Sequence, residues 1–209
     1  MTAPLAAWTL AALGLLLAEA PEAERLSERA RQDRTIVYFL QQPETHAFDL
    51  YHDYTESRPG VGAYYNVVRK GSTASNPRAR ILDTGEELRV ESVKGESLLK
   101  AGIDVGDPIG AEDDVVVAHF APVPKGGSVR LRISETYADP ARYGLRGDEL
   151  VWDRTFSRPR NALVLPPGFY LTASSIPARV SETEDGRIRL DFENPRNDEI
   201  AVLVKARRR

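Results

Sequence analysis

Cysteine is absent from the 209 residues. That excludes disulfides, thiol nucleophiles and thiolate metal sites, while leaving export open. Histidine occurs only at positions 46, 52 and 119. His46 and His52 would sit ~20 Å apart along an extended strand, too far for one metal ion. Lysine is scarce as well, at 70, 94, 100, 125 and 205 only. Positive charge is therefore almost all arginine, a bias that a GC-rich bacterial genome produces as readily as ligand chemistry does. The net charge of -3 and pI near 5.7 give no nucleic-acid footprint.

Catalytic signatures are missing too. No H-E-x-x-H, G-x-S-x-G, P-loop or EF-hand pattern occurs. Gly60-Val61-Gly62 lacks the third glycine and the following helix of a dinucleotide fingerprint. Neighbouring carboxylates such as Glu86-Glu87 and Asp113-Asp114 point apart on a strand. No cofactor or metal is implied, and the expectation is a non-enzyme.

No apolar run is long enough to span a bilayer as a helix. Pro4 to Ala18 is apolar over about 15 residues, whereas a spanning helix needs ~20. A signal peptide over residues 1–20 fits better, with Ala18-Glu19-Ala20 as cleavage site or cleavage after Ala23 as the alternative. An uncleaved hydrophobic helix would be the only membrane contact. Residues 21–34 read as a charged linker, and residues 35–209 as one domain exported to the periplasm or medium.

What is present is strand texture. From Thr35 onward, apolar residues alternate or run in short blocks between turn residues, with no long helical period and no internal repeat. TIVYFLQQ, HAFDLYHDYTES and AYYNVVRK read as strands; GSTASNPRA reads as a loop. ARILD and EELRVESV form a short hairpin about Thr84-Gly85. SLLKAG predicts one helical turn with Ser97 as N-cap and Gly102 past its end. VVVAHFAPVP is apolar enough for a strand covered on both faces. SVRLRISETY alternates, and ADPARYGLRGD reads as a turn region. The stretch 149–208 completes the set, with strands separated by Pro166-Pro167-Gly168, Asp185-Gly186 and Pro195. This pattern predicts an all-β fold, a single-domain antiparallel β-sandwich preceded by a signal or hydrophobic helix.

Within 149–208, Leu150, Trp152, Arg154 and Phe156 share one strand face. Arg154, Arg158 and Arg160 with Trp152 and Tyr143 form the candidate ligand-binding group, since guanidinium forks and aromatic faces are enriched at interfaces. The competing reading makes Trp152 and Phe156 core and pairs the arginines with Asp148, Glu149 and Asp153. Tyr51, Tyr54, Tyr64 and Tyr65 could likewise line a groove or pack across the sheet.

The arrangement NALVLPPGFYLTASSIPARV, DGRIRLDFENP, IAVLVKARR resembles the closing half of small exported bacterial β-domains of unknown function. HAFDLYHDYTES, YYNVVRKGS and LRISETYADPARY stand where their first half would be. More distantly, the pattern looks like the N-terminal β-sandwich of M1- and M61-type aminopeptidases, which precedes a separate zinc-bearing domain. That resemblance implies docking or substrate framing and carries over no catalytic residue. The functional expectation is an exported, non-catalytic binding or envelope-accessory module with a protein or cell-envelope partner. A hydrolase-like site assembled from separate strands and a carbohydrate-binding module are the alternatives.

Overall fold

In a computed structural model of the chain, residues 32–196 and 198–209 are described. The expected signal peptide, its hydrophobic helix and most of the linker lie outside them. The described chain is all-β, with fourteen strands, one short α-helix and one 3-10 turn at Pro43–Thr45. Among the described residues no helix is long and apolar enough to cross a membrane.

The strands are β1 (Arg34–Leu40), β2 (Ala47–Glu56), β3 (Ala63–Val67), β4 (Thr73–Ile81), β5 (Arg89–Lys94), β6 (Asp114–His119) and β7 (Val129–Ala138). They continue as β8 (Tyr143–Arg146), β9 (Glu149–Phe156), β10 (Arg160–Val164), β11 (Phe169–Ser174), β12 (Arg179–Glu182), β13 (Ile188–Glu193) and β14 (Ile200–Arg208). Helix α1 covers Gly95–Lys100. A seven-stranded sheet has the order β12-β13-β10-β1-β2-β7-β4, a four-stranded sheet β11-β14-β9-β8, and a three-stranded sheet β3-β6-β5. Pairing is antiparallel except for β1 with β10, which run parallel.

The main core is formed by facing residues of the seven- and four-stranded sheets, an arrangement consistent with the expected sandwich. Tyr38, Phe48, Leu163 and Leu190 come from one sheet, and Trp152, Phe156, Val202 and Val204 from the other. The strand period explains the set: in β9, Leu150, Trp152, Arg154 and Phe156 are all buried, at 7 % exposure or less. A second core joins the far end of the large sheet to the three-stranded one, through Tyr54, Leu131 and Ile133 against Tyr64 and Ala118. Central β6 is covered on both faces, since Val115 and Val117 pack with Leu98 of α1.

Four local expectations are corrected. GSTASNPRA is largely strand β4, which runs through Pro77 with a register shift between Ser75 and Arg78. A proline without an N–H is tolerated there because β4 is a sheet edge and the irregularity leaves that position unpaired. ADPARYGLRGD contains strand β8 at its end. FYLTASSIPARVSE divides into β11 and β12, which join different sheets. Helix α1 begins at Gly95, with Lys94 rather than Ser97 at the N-cap; the Ser97 hydroxyl donates instead to the Lys94 carbonyl, at 2.7 Å.

Candidate functional site

The antiparallel register of β1 and β2 sets Arg34 opposite Tyr54. Arg34 is in phase with Ile36, Tyr38 and Leu40, all buried, so its side chain is carried inward and is only 4 % exposed. Two residues beyond Tyr54, β2 ends at Glu56, and the chain turns through Gly60 at φ 83° into β3. That turn brings Tyr64 beside Tyr54, with ring centroids 5.8 Å apart. The Arg34 guanidinium carbon lies 4.6 Å from the Tyr54 ring centroid and 5.0 Å from that of Tyr64.

These residues line a cavity of about 430 Å³, closed further by the loop Ile103–Asp107 and by Arg158 from the β9–β10 connection. This is the size of ordinary small-molecule clefts. A shallower depression of about 290 Å³ adjoins it and shares Gln32, Tyr54, Glu56 and Arg58. Val61, Ile103 and Val105 give the main cavity an apolar wall, while Arg34, Arg58, Arg158, Glu56, Asp104 and Asp107 supply charge.

The charges differ in how they are matched. Arg58 donates to Glu56 through Nε at 3.0 Å and Nη2 at 2.7 Å, and its backbone N–H donates to the same carboxylate at 2.9 Å. The Tyr54 hydroxyl donates to Glu56 as well, at 2.5 Å. Burial pushes the Glu56 carboxyl up, but these hydrogen bonds outweigh it and hold the group below the usual carboxylate range. The Tyr54 phenol is pushed up, by burial first and by Glu56 second. Asp104 accepts from the Gly106 N–H at 2.8 Å.

Arg34 has no such match. Its Nε is buried without a hydrogen-bond partner, and so is the Oε1 of Gln32. Among the described residues Arg34 makes no ion pair; what faces it is two aromatic rings. Burying an unpaired ion costs several kcal/mol, whereas a cation–π contact returns about 0.5–2. Next to this charge, His52 is buried under Tyr64, whose hydroxyl lies 3.4 Å from His52 Nδ1. Burial, then Arg34 and Arg158, hold the His52 imidazole well below its ordinary value, so the ring stays neutral.

The five residues singled out from the sequence fall in three places. Trp152 and Tyr143 are fully enclosed in the main core: the Trp152 ring meets Tyr38 at 5.3 Å, and the Tyr143 hydroxyl donates to the Gln41 carbonyl. Arg154 is buried in a pair with Asp139 at 2.7 Å, not with any of the three carboxylates foreseen. Arg160 lies outside, donating to Asp33 at 2.5 Å and to Thr35 at 3.0 Å. Arg158 alone of the five lines the cavity. The tyrosine group divides as well. Tyr54, Tyr64 and Tyr65 line the cavity, while Tyr51 stacks on the opposite face under Arg132, at 3.9 Å.

The sequence pattern places Arg34 at the end of the linker, residues 21–34. The signal that could have found it is its phase with Ile36, Tyr38 and Leu40. The histidines are dispersed: His46 contacts the Tyr143 carbonyl and His119 the Glu91 carboxylate. Among the described residues no group of three or more His, Cys, Asp or Glu is placed to hold a metal ion.

No protein-family model matches the chain, and no curated protein matches it. Solved structures do. An aminopeptidase N family protein from Idiomarina loihiensis is similar over 82% of this chain and 29% of its own, at 10% identity and TM-score 0.47. An M1 zinc metallopeptidase from Deinococcus radiodurans is similar over 83% of this chain and 41% of its own, at 11% identity and TM-score 0.46. These neighbours are M1 aminopeptidase-family chains, as the resemblance read from the sequence implied. The present chain spans less than half the length of either.

Proposed function

We propose that the chain is an exported, non-catalytic β-sandwich module that binds a protein or cell-envelope component through the cleft between β1, β2 and β3. One observation carries this reading: a concave site in which a buried guanidinium is held by two tyrosine rings and, among the described residues, has no counter-charge. Such an arrangement costs stability, and a bound partner that supplies the missing charge offsets that cost. Export is supported by the apolar segment and A-x-A site of residues 1–20.

Two measurements test it. Cell fractionation and N-terminal sequencing of the full chain should find a periplasmic or secreted product beginning at Pro21 or Glu24; a cytoplasmic product retaining Met1 would rule out export. Pull-down from envelope extract with the wild type and with Arg34→Met should recover a component that the variant does not. Recovery of nothing under several salt conditions would end the binding reading, and equal recovery by both would remove the cleft from it.

One observation favours a hydrolase instead. Burial raises the Glu135 carboxyl to about 7, despite hydrogen bonds from Asn66 and Tyr137, the range of a general acid. Glu135 is not among the residues lining the cavity, and it is 3 % exposed, so the binding reading has the better support.

A further inference from the structure

Among the polar atoms of the cleft-lining residues, the Nε–H of Arg34 and the Oε1 of Gln32 are buried with no hydrogen-bond partner among the described residues. Arg34 is more than nine-tenths buried, and its guanidinium lies against the Tyr54 and Tyr64 rings. A guanidinium that lines a cavity suits a planar acceptor able to take two parallel N–H bonds, which is the geometry of a carboxylate. The surrounding charge narrows the choice. Glu56, Asp104 and Asp107 also line the space, so a dianion such as phosphate would set its second charge against them. A single negative charge meets Arg34, which makes no ion pair among the described residues. Val61, Ile103 and Val105 give the space an apolar lining, which suits a hydrocarbon body.

We infer that this cleft binds a monocarboxylate carrying an apolar body, with the carboxylate on the Arg34 guanidinium and the body against Val61, Ile103 and Val105. The inference rests on the reading of the chain as a binding module and names the chemistry of the group it captures. Arg58 stays committed to Glu56.

Calorimetric titration of the full chain with sodium benzoate, sodium octanoate and sodium phosphate, at ionic strength held constant with chloride, tests this. Benzoate, octanoate or both should bind saturably at one per chain, about tenfold or more tighter than phosphate. Preference for one over the other reports whether the body is flat or extended. Arg34→Met should weaken carboxylate binding by about tenfold or more, the loss expected of a charge-assisted bidentate contact. Should that variant fail to fold, Asp104→Asn keeps the acceptor for the Gly106 N–H and removes a repelling charge, so carboxylates should bind more tightly to it. Absence of carboxylate binding, tighter binding of phosphate, or carboxylate binding unchanged in both variants would overturn the inference. The envelope pull-down is independent of it. A component captured without regard to Arg34 removes the cleft from the macromolecular reading while leaving carboxylate binding to stand or fall on the titration.

Discussion

Three interior charges show how differently a buried polar residue can be supported. Arg154 and Asp139 form a pair at 2.7 Å with side chains 8 % and 4 % exposed, and the Arg154 guanidinium also lies 5.1 Å from the Phe48 ring. Removing one partner strands the other. Asp139→Ala should therefore cost about 3–5 kcal/mol in urea unfolding, while replacing both partners with apolar residues should cost much less. An Asp139→Ala variant as stable as wild type would show that the pair contributes nothing.

Glu135 has weaker support. Asn66 donates to its Oε2 at 2.8 Å, but its Oε1 is buried without a partner. Burial raises this carboxyl from 4.5 to about 7. Between those values the folded chain holds a proton that the unfolded chain has released, so stability from this group is present below pH ~4.5 and falls as pH rises toward 7. Glu135→Gln keeps an acceptor for Asn66 and removes the titration. Its unfolding free energy should lack that fall and exceed the wild type's at pH 8 by on the order of 3 kcal/mol. Parallel pH profiles for variant and wild type would refute the assignment. Arg34 is the third case, with rings but no counter-charge among the described residues, and it lines a cavity.

At the scale of single elements, the strand period was readable wherever one face is buried. HAFDLYHDYTES divides as expected, with Phe48, Leu50 and His52 inside β2. The misreadings cluster where local chemistry and pairing disagree. Asn76-Pro77 signals a loop, yet β4 pairs with β7 on both sides of it. Ser97 has the side chain of an N-cap, yet the N-cap is Lys94, three residues earlier, where Gly95 packs against Gly110. A Cβ on Gly95 would lie 2.1 Å from the Gly110 carbonyl oxygen, a backbone atom that cannot swing aside. Gly95→Ala should destabilise by about 1–3 kcal/mol through this clash, read as a lowered melting temperature. An unchanged melting temperature would mean that the 102–113 loop yields freely, which also bears on the cleft, since Ile103–Asp107 belong to that loop.

For the whole molecule, the decisive contact is the closure of the four-stranded sheet on the seven-stranded one. Trp152 is its centre, fully enclosed against Tyr38 and Phe156 at ring distances of 5.3 and 5.7 Å. Trp152→Ala should cost about 3–5 kcal/mol in equilibrium unfolding. If residues 1–20 are cleaved, Trp8 is lost and Trp152 is the sole tryptophan. Its emission should then be blue-shifted and inaccessible to iodide until one cooperative unfolding step; quenching in the native state would contradict the enclosed position.

The amino-acid sequence by itself determined the all-β character, most strand positions and the inward faces of β2, β7 and β9, because a period of two and turn residues act locally. It also singled out Trp152 as a residue of consequence without showing whether its role was recognition or packing. Only tertiary structure decided that β11 and β12 separate into different sheets, that β1 lies parallel to β10, and that Arg154 meets Asp139. These depend on pairing between segments far apart in the chain, which no local pattern encodes. The cleft belongs to the same class. Arg34, Tyr54, Tyr64 and Arg158 come from four separate segments, and the burial that gives Arg34 its meaning exists only once β1, β2 and β3 have met.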